Sequence, residues 1–454
     1  MSILGIMNIG TTALLAAQSA LNTTSNNVAN ASTPGYTRQQ VDLTSIPSGL
    51  TGITGSSGNG VTVSDITRLY DSFTTLQLRT EKSNTSYWNT YSGYASSVET
   101  VFNETSNTGI GPAISDFFSA WQQVAQNPQD TTARTTLLNK AQYMASRISG
   151  AYNNLASQQT QIYKNSQDLV TQVNNISKQI YGLNEKIVSS PGALDLKDQR
   201  DSLVEQLNQI TGVNTVQDGS GRYNVYVGGA TLVDASGSYN MSVTLDSNNA
   251  MQFSVGTHNI NSEMTGGQMK ANLDARDTTI AGYITQLNTF ATDLSTKINT
   301  QNGAGFDLNG AAGGNFFTAP AAQFAARDMK VAITDPKAIA ASSTAVGVPG
   351  NNQNAQIIAN LADTKIIAGN TLSPIDYYSN IVSASGTDAQ SANTYVKFQT
   401  SLVNQLETQR QSTSGVSLDQ EAANLVQFEK SYQAAAKMIS IGSDLLDTII
   451  GIVK

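Results

Sequence analysis

The apolar positions of the last stretch, Ser417 to Lys454, fall into two rows. Leu418, Leu425, Tyr432, Ile439, Leu446 and Val453 stand on every seventh residue, and Phe428, Ala435, Gly442 and Ile449 form a second row three residues further on. This is an a/d heptad seam, which predicts a helix built to coil against another helix. Ser417, with Gln420 three residues later, supplies the capping box that would open it. At the other end of the chain Met7, Leu14, Leu21 and Val28 also stand on sevens, with Gly10, Ala17 and Thr24 as small residues between them. The two seams predict that the termini pair with each other, and with copies from neighbouring subunits, in the left-handed supercoil that a seven-residue period imposes.

The N-terminal helix is expected from about Ser2 to Ala31, ending at Thr33-Pro34-Gly35 because proline removes a donor and drives the residue before it out of the helical region. Ala31 to Thr67 reads as an extended connector with a glycine cluster, GSSGNG, and one short alternating strand, Val61 to Ile66. Leu69, Phe73, Leu76, Tyr87, Tyr94, Val98 and Val101 predict a long helix to about Glu104. Ile114, Phe117, Phe118, Trp121 and Val124 predict a short one ending at Asn127-Pro128. Asp130 then caps a very long pattern (Ile148, Leu155, Ile162, Leu169, Ile176 and Leu183 on sevens), a rod of roughly 80 Å that Gly150 or Gly182 could bend. Leu194 to Ile210 closes the block, with Gly212 as its stop.

After Gly212 the period changes. TVQDGSGRYNVYV and SVTLDSNNAMQFSV are hairpin signals, so Val213 to about Asn261 reads as a small β unit. Helical spacing returns at Met269 and runs through Ile298, followed by a Gly/Asn-rich loop, a strand in DMKVAITDP, and helices near Ile357 to Ile367 and Ala389 to Arg410. The polar run Gln411 to Gly415 separates these from the C-terminal helix. The fold class expected is mainly α with a small β insert. The chain would be a layered, rod-like hairpin with terminal helices paired as a coiled coil, a long-helix middle domain and an outer β domain. Residues 1–67 and 413–454 would form the terminal coiled-coil domain with its connector, 68–211 and 266–412 the helical middle, and 212–265 the β domain.

Composition narrows the function. Only 13% of the 454 residues are charged and the net charge is −8, which argues against a nucleic-acid partner because phosphate binding needs clustered Lys and Arg. There is no basic amphipathic stretch for a membrane surface, and no segment reads as long enough to span a bilayer. With no cysteine, disulfides and thiolate metal sites are excluded. The opening segment has no Lys or Arg and no long apolar run, so it does not read as a secretory signal. It has no charge of either sign before Arg38, which suits a helix with protein on both faces.

Catalysis has little to work with, and the chain is expected not to be an enzyme and to need no cofactor or metal. The single histidine, His258, has Glu263 nearby but reads as structural or solvated. FDLNGAAGGN has one calcium-like D-x-N-G without the remaining ligands, so it reads as a flexible turn. GSSGNG lacks the context of a phosphate cradle. Asp195, Asp198, Arg200 and Asp201 share a helix start, where acidic side chains favour the dipole, and read as a solvated cap.

Asn26-Asn27-Val28-Ala29-Asn30, then Thr33-Pro34-Gly35-Tyr36 and Arg38, resemble the N-terminal signature of bacterial flagellar axial proteins, the rod, hook and hook-associated proteins. SLDQEAANLVQFEKSYQAAAKMIS resembles the matching C-terminal end. QNPQDTTAR (Gln126 to Arg134), LKDQRD (Leu196 to Asp201) and GFDLNGAAGGNFF (Gly305 to Phe317) look like the hook-associated protein 1 branch of that family. The resemblance implies a structural role, a ring of subunits joining hook to filament in the extracellular flagellum, exported through the flagellar type III channel without a cleaved signal. Its implied partners are further copies of itself, the hook protein, the next hook-associated junction protein, and a cytoplasmic export chaperone at the C-terminal heptads. Assembly residues are then expected at Met7, Leu14, Leu21, Asn27, Val28, Asn30, Pro34, Gly35, Tyr36, Leu418, Leu425, Phe428, Tyr432, Ile439 and Leu446. The residues alone also allow a coiled-coil extracellular adhesin or tail-fibre-like binding protein, or a hook or rod component.

Overall fold

A computed structural model describes residues 3–47, 58–103 and 108–453 of the chain. In chain order the elements are α1 (Ile3–Ala29), β1 (Gln39–Ser45), β2 (Val61–Arg68), α2 (Ser72–Phe102), α3 (Ile110–Gln126), α4 (Thr131–Ser189) and α5 (Leu194–Thr211). Then come β3 (Asn214–Gln217), β4 (Tyr223–Val227), β5 (Ala230–Val233), β6 (Met241–Leu245), β7 (Met251–Val255) and β8 (His258–Asn259). The rest is α6 (Gly267–Asp274), a π-helical turn (Ala275–Ile280), α7 (Ala281–Gly303), the short α8 (Ala325–Asp328), α9 (Gln353–Asn360), α10 (Pro374–Ser414) and α11 (Leu418–Val453). The residues group into two compact units: Met1–Ser83, Val173–Asn240 and Gln399–Lys454 in the first, Asn84–Gln172 and Met241–Phe398 in the second.

Local chemistry explains the boundaries. Asp130 Oδ1 accepts from the backbone N–H of Thr132 at 2.8 Å and so opens α4, 59 residues without interruption. Gly212 ends α5 with a φ of 46°, a left-handed conformation that glycine adopts without a Cβ penalty. Asp218 closes the β3–β4 turn by accepting from Ser220 and Arg222 N–H groups, and Asp246 closes β6–β7 by accepting from Asn248 and Ala250.

Several expectations are corrected. The connector is a hairpin, β1 antiparallel to β2 with Gln39 opposite Arg68 and a bulge at Asp42/Leu43; β1 was not foreseen because QQVDLTS carries few apolar positions. The predicted single β unit forms two three-stranded sheets, β3-β4-β5 in the first unit and β6-β7-β8 in the second. α10 begins at Pro374 rather than Ala389 and runs on through the polar QSTS to Ser414. Its start signal is Ser373-Pro374-Ile375-Asp376, where the Ser373 hydroxyl donates to the Asp376 carboxylate at 2.7 Å and accepts from the Asp376 N–H. DMKVAITDP makes only a bridge between Val331 and Phe317, and α9 stops at Asn360 rather than Ile367. By length and composition α1 does suffice to cross a membrane, a test that a packed helix also passes. The middle of the GSSGNG connector, Glu104 and the Val453 side chain lie outside the described residues.

The second unit is built on a large aliphatic and aromatic core. Phe117, Trp121, Phe316 and Phe317 are fully buried, with Trp121 and Phe316 ring centroids 5.4 Å apart. The glycine-rich loop before Phe316 is a turn closed by Asp307, which is buried and whose Oδ1 accepts from the N–H groups of Asn309 and Ala311. Arg134, from the QNPQDTTAR stretch, is buried too, donating to the carbonyls of Pro128 at 2.8 Å and Ile339 at 2.6 Å. Burial pushes its guanidinium down to about 10.

Candidate functional site: the paired termini

Within the first unit, α1 and α11 pack antiparallel. A Cβ on Gly10 would lie 2.9 Å from Ile439 Cγ1 and 3.4 Å from the Ala435 carbonyl oxygen. One on Gly442 would lie 2.7 Å from Met7 Cγ, while Asn27 at the other end of α1 reaches Glu421. Small residues line the contact and let the backbones approach: Gly10, Ala17, Ala20 and Thr24 are buried on α1, Ala435 and Gly442 on α11. The larger seam residues flank this line instead of filling it. Met7, Leu14 and Leu21 are half-buried and Val28 is exposed; Leu425, Phe428, Ile439 and Leu446 are half-buried, Leu418 and Tyr432 exposed.

The pair ends in a buried polar latch. Asn27 Nδ2 donates to the Gln39 carbonyl at 2.8 Å and to Glu421 Oε2 at 3.3 Å, and its Oδ1 accepts from the Gln39 N–H and the Tyr36 hydroxyl. Glu421, 1% exposed, accepts from Arg38 Nε at 2.7 Å. The Arg38 N–H in turn donates to the Ser414 carbonyl at 3.0 Å, so the last turn of α10 is tied to the same strand. Pro34 and Gly35 are exposed and make the turn, Gly35 at φ 81°, that brings Tyr36 back to Asn27. Asn30 sits outside the latch, donating to the Asn26 side chain and accepting from Thr33. Burial, with the Asp198 and Glu421 carboxylates adding to it, pushes the Tyr36 phenol up to about 12.

A second node stands beside the first. Arg68 bridges Asp198 at 2.7 Å and Asp201 at 2.9 Å, and Asp198 also accepts from the Thr37 N–H. Burial raises the Asp198 carboxyl from its ordinary value, against the opposing pull of Arg68 and Thr37. Arg200 is buried over the Tyr223 ring and donates to the Gly221 carbonyl at 2.7 Å. The cluster read as a solvated cap is therefore mostly interior; only Asp195 lies exposed in the first turn of α5. An open cleft of about 820 Å³ adjoins residues 31–38; among the charges lining it, Lys82 pairs with Glu205 and Glu407, and Arg410 with Glu407.

The sequence reading missed Glu421, although the signal was there. It occupies a d position of the α11 heptads, in the row of Phe428, Ala435 and Gly442, where a charge requires a buried partner. Arg38, the first charged residue of the chain, is that partner. His258 is half-exposed beside Glu263 at 3.1 Å, and among the described residues no group of three or more His, Cys, Asp or Glu is placed to hold a metal.

Comparison with known proteins agrees with this layout. Residues 95–317 match the family model of the flagellar hook-associated protein FlgK helical domain. Residues 7–37 match that of the flagella basal body rod protein, and 407–452 that of the flagellar basal body rod FlgEFG protein C-terminal region. The last two contain most of α1 and α11, with Asn27, Tyr36 and Glu421 of the latch. The chain is 30% identical to flagellar hook-associated protein 1 of Bacillus subtilis (strain 168), over 96% of either chain. It is 28% identical to that of Escherichia coli (strain K12), over 98% of this chain and 99% of the relative. The solved flagellar hook junction protein FlgK from Burkholderia pseudomallei shares the fold with a TM-score of 0.67 at 19% identity, covering 74% of this chain and 100% of that one. By its terminal signatures, its helical middle and its full-length likeness, the chain belongs to the flagellar hook-associated protein 1 family.

Proposed function

We propose that the chain is a structural subunit of the bacterial flagellum that joins the hook to the filament as a ring of copies. The observation that carries this reading is the apolar surface that α11 leaves open after packing on α1. Ile441, Leu445, Ile449, Ile450 and Ile452 are all 42% exposed or more, as are Leu4 and Leu15 on α1. A surface of this kind favours burial against other subunits. Its partners in the reading are neighbouring copies, the hook protein and the next junction protein, in an appendage outside the cell. The same rows give a cytoplasmic export chaperone something to cover before export. Met7, Leu14, Leu21, Val28, Leu418, Tyr432 and the other seam residues, half-buried or exposed, are the remaining proposed contacts. The role in this reading is mechanical, as the family's structural part in the flagellum implies.

Deletion of the gene in its host, followed by electron microscopy and an assay of flagellin in the medium, tests the reading. Hooks without filaments, with flagellin shed, are expected. Missing hooks would instead indicate a rod or hook component, and normal filaments would overturn the proposal.

A further inference from the structure

We infer that the Asn27–Arg38–Glu421 latch fixes the axial register of α1 on α11. The seam itself repeats in part. Gly10, Ala17 and Thr24 repeat on sevens along one helix, Phe428, Ala435, Gly442 and Ile449 along the other, so a slide of one heptad, about 10.5 Å, again sets small residues against apolar ones. Two features do not repeat: the close fit of Gly442 on Met7, where a slide brings Ala435 or Ile449, and the charge. Glu421 is the single charged residue in the a and d rows of α11, and α1 has none at all. Its carboxylate has both partners, Arg38 Nε at 2.7 Å and Asn27 Nδ2 at 3.3 Å, in one register alone. A slide toward the start of α1 would set it against the uncharged helix without them, where an unpaired carboxylate is strongly disfavoured, and a slide the other way would carry it past the end of α1. The hairpin contact of Gly60 with Ile9 and Thr12 does not set this register, since it ties α1 to β2 and not to α11. The Arg38 N–H to Ser414 carbonyl bond adds to the latch from the side of α10. The inference concerns one chain and stands apart from the proposed role in the flagellum.

The chain has no cysteine, so engineered pairs read the register without background. A Cβ at position 442 lies 3.9 Å from Met7 Cβ, within the span of a disulfide. In the full-length protein, Met7→Cys with Gly442→Cys reports the observed register; Met7→Cys with Ala435→Cys or with Ile449→Cys reports a slide of one heptad either way. Each pair is oxidised at low protein concentration, and the intramolecular product is measured on non-reducing gels. With the latch intact only the first pair closes. With Arg38→Met and Glu421→Leu, which replace the buried pair by apolar side chains, closure of the first pair relative to the slid pairs is expected to fall by about tenfold, a shift of ~1.4 kcal/mol. Glu421→Gln, which keeps the shape and removes the charge, gives the same readout should the apolar pair lose helical circular dichroism. Closure of the first pair alone in a folded latch variant overturns the inference.

Discussion

At the scale of single residues, Glu421 and Tyr36 bear most on the account. Removing one member of a buried ion pair leaves the other without compensation, so Glu421→Ala is expected to lower the stability of the first unit by about 3 kcal/mol, measured by denaturant unfolding. Tyr36 gives a pH signature. Its phenol titrates near 12 in the folded chain against an ordinary value of 10, so the folded state holds the proton more tightly than the unfolded one. Its contribution is complete below pH 10 and is lost as pH rises from 10 to about 12. Tyr36→Phe is expected to cost ~1 kcal/mol at neutral pH, the hydrogen bond to Asn27, and to show a shallower fall across that alkaline window. Equal slopes in the two proteins would contradict the assignment. Tyr87 and Tyr223 are also raised, so the comparison of slopes is what isolates Tyr36.

At the scale of elements, periodicity was a good guide wherever an apolar stripe met a clear start or stop. α1, α3, α4 and α5 end close to their Pro, Asp and Gly signals, and both Asp-closed hairpins fall where alternation placed them. Elements with little apolar pattern were hidden. The first half of α10 (SASGTDAQSAN) is small and polar, and β1 gains its order from pairing with β2, a contact that no local window contains. The site was legible in part: the right two helices were paired, but their contact line is made of Gly, Ala and Thr, which carry little hydrophobic signal. Glycines test this line directly. A methyl on Gly10 meets Ile439 and the Ala435 carbonyl, so Gly10→Ala is expected to destabilise by about 1 kcal/mol despite its better helix propensity. Gly150 and Gly182 have open space around the added carbon, and there the same change is expected to stabilise by up to ~1 kcal/mol, read from unfolding midpoints. A stabilising Gly10→Ala would mean that α1 and α11 do not approach so closely.

At the scale of the molecule, two units divide the work. The second holds the aromatic core around Trp121 and Phe316, which is complete within its own residues. The first gathers both chain ends, latches them at Arg38 and Glu421, and leaves an apolar face of α11 exposed. The stretches that match rod-protein models, residues 7–37 and 407–452, both lie in the first unit, while the match to the hook-associated helical domain, residues 95–317, runs through both units. The exposed face locates the most informative variant. Leu445→Asp with Ile441→Asp places two charges on the exposed face and none on the contact line with α1, so the purified chain should keep its helical circular dichroism. The direct test is to express this variant in the host lacking its own copy and to examine the cells by electron microscopy. Bare hooks, with flagellin shed into the medium while the wild-type gene restores filaments, are the predicted result. Filaments of normal length and number on the variant cells would contradict the claim that this face joins subunits.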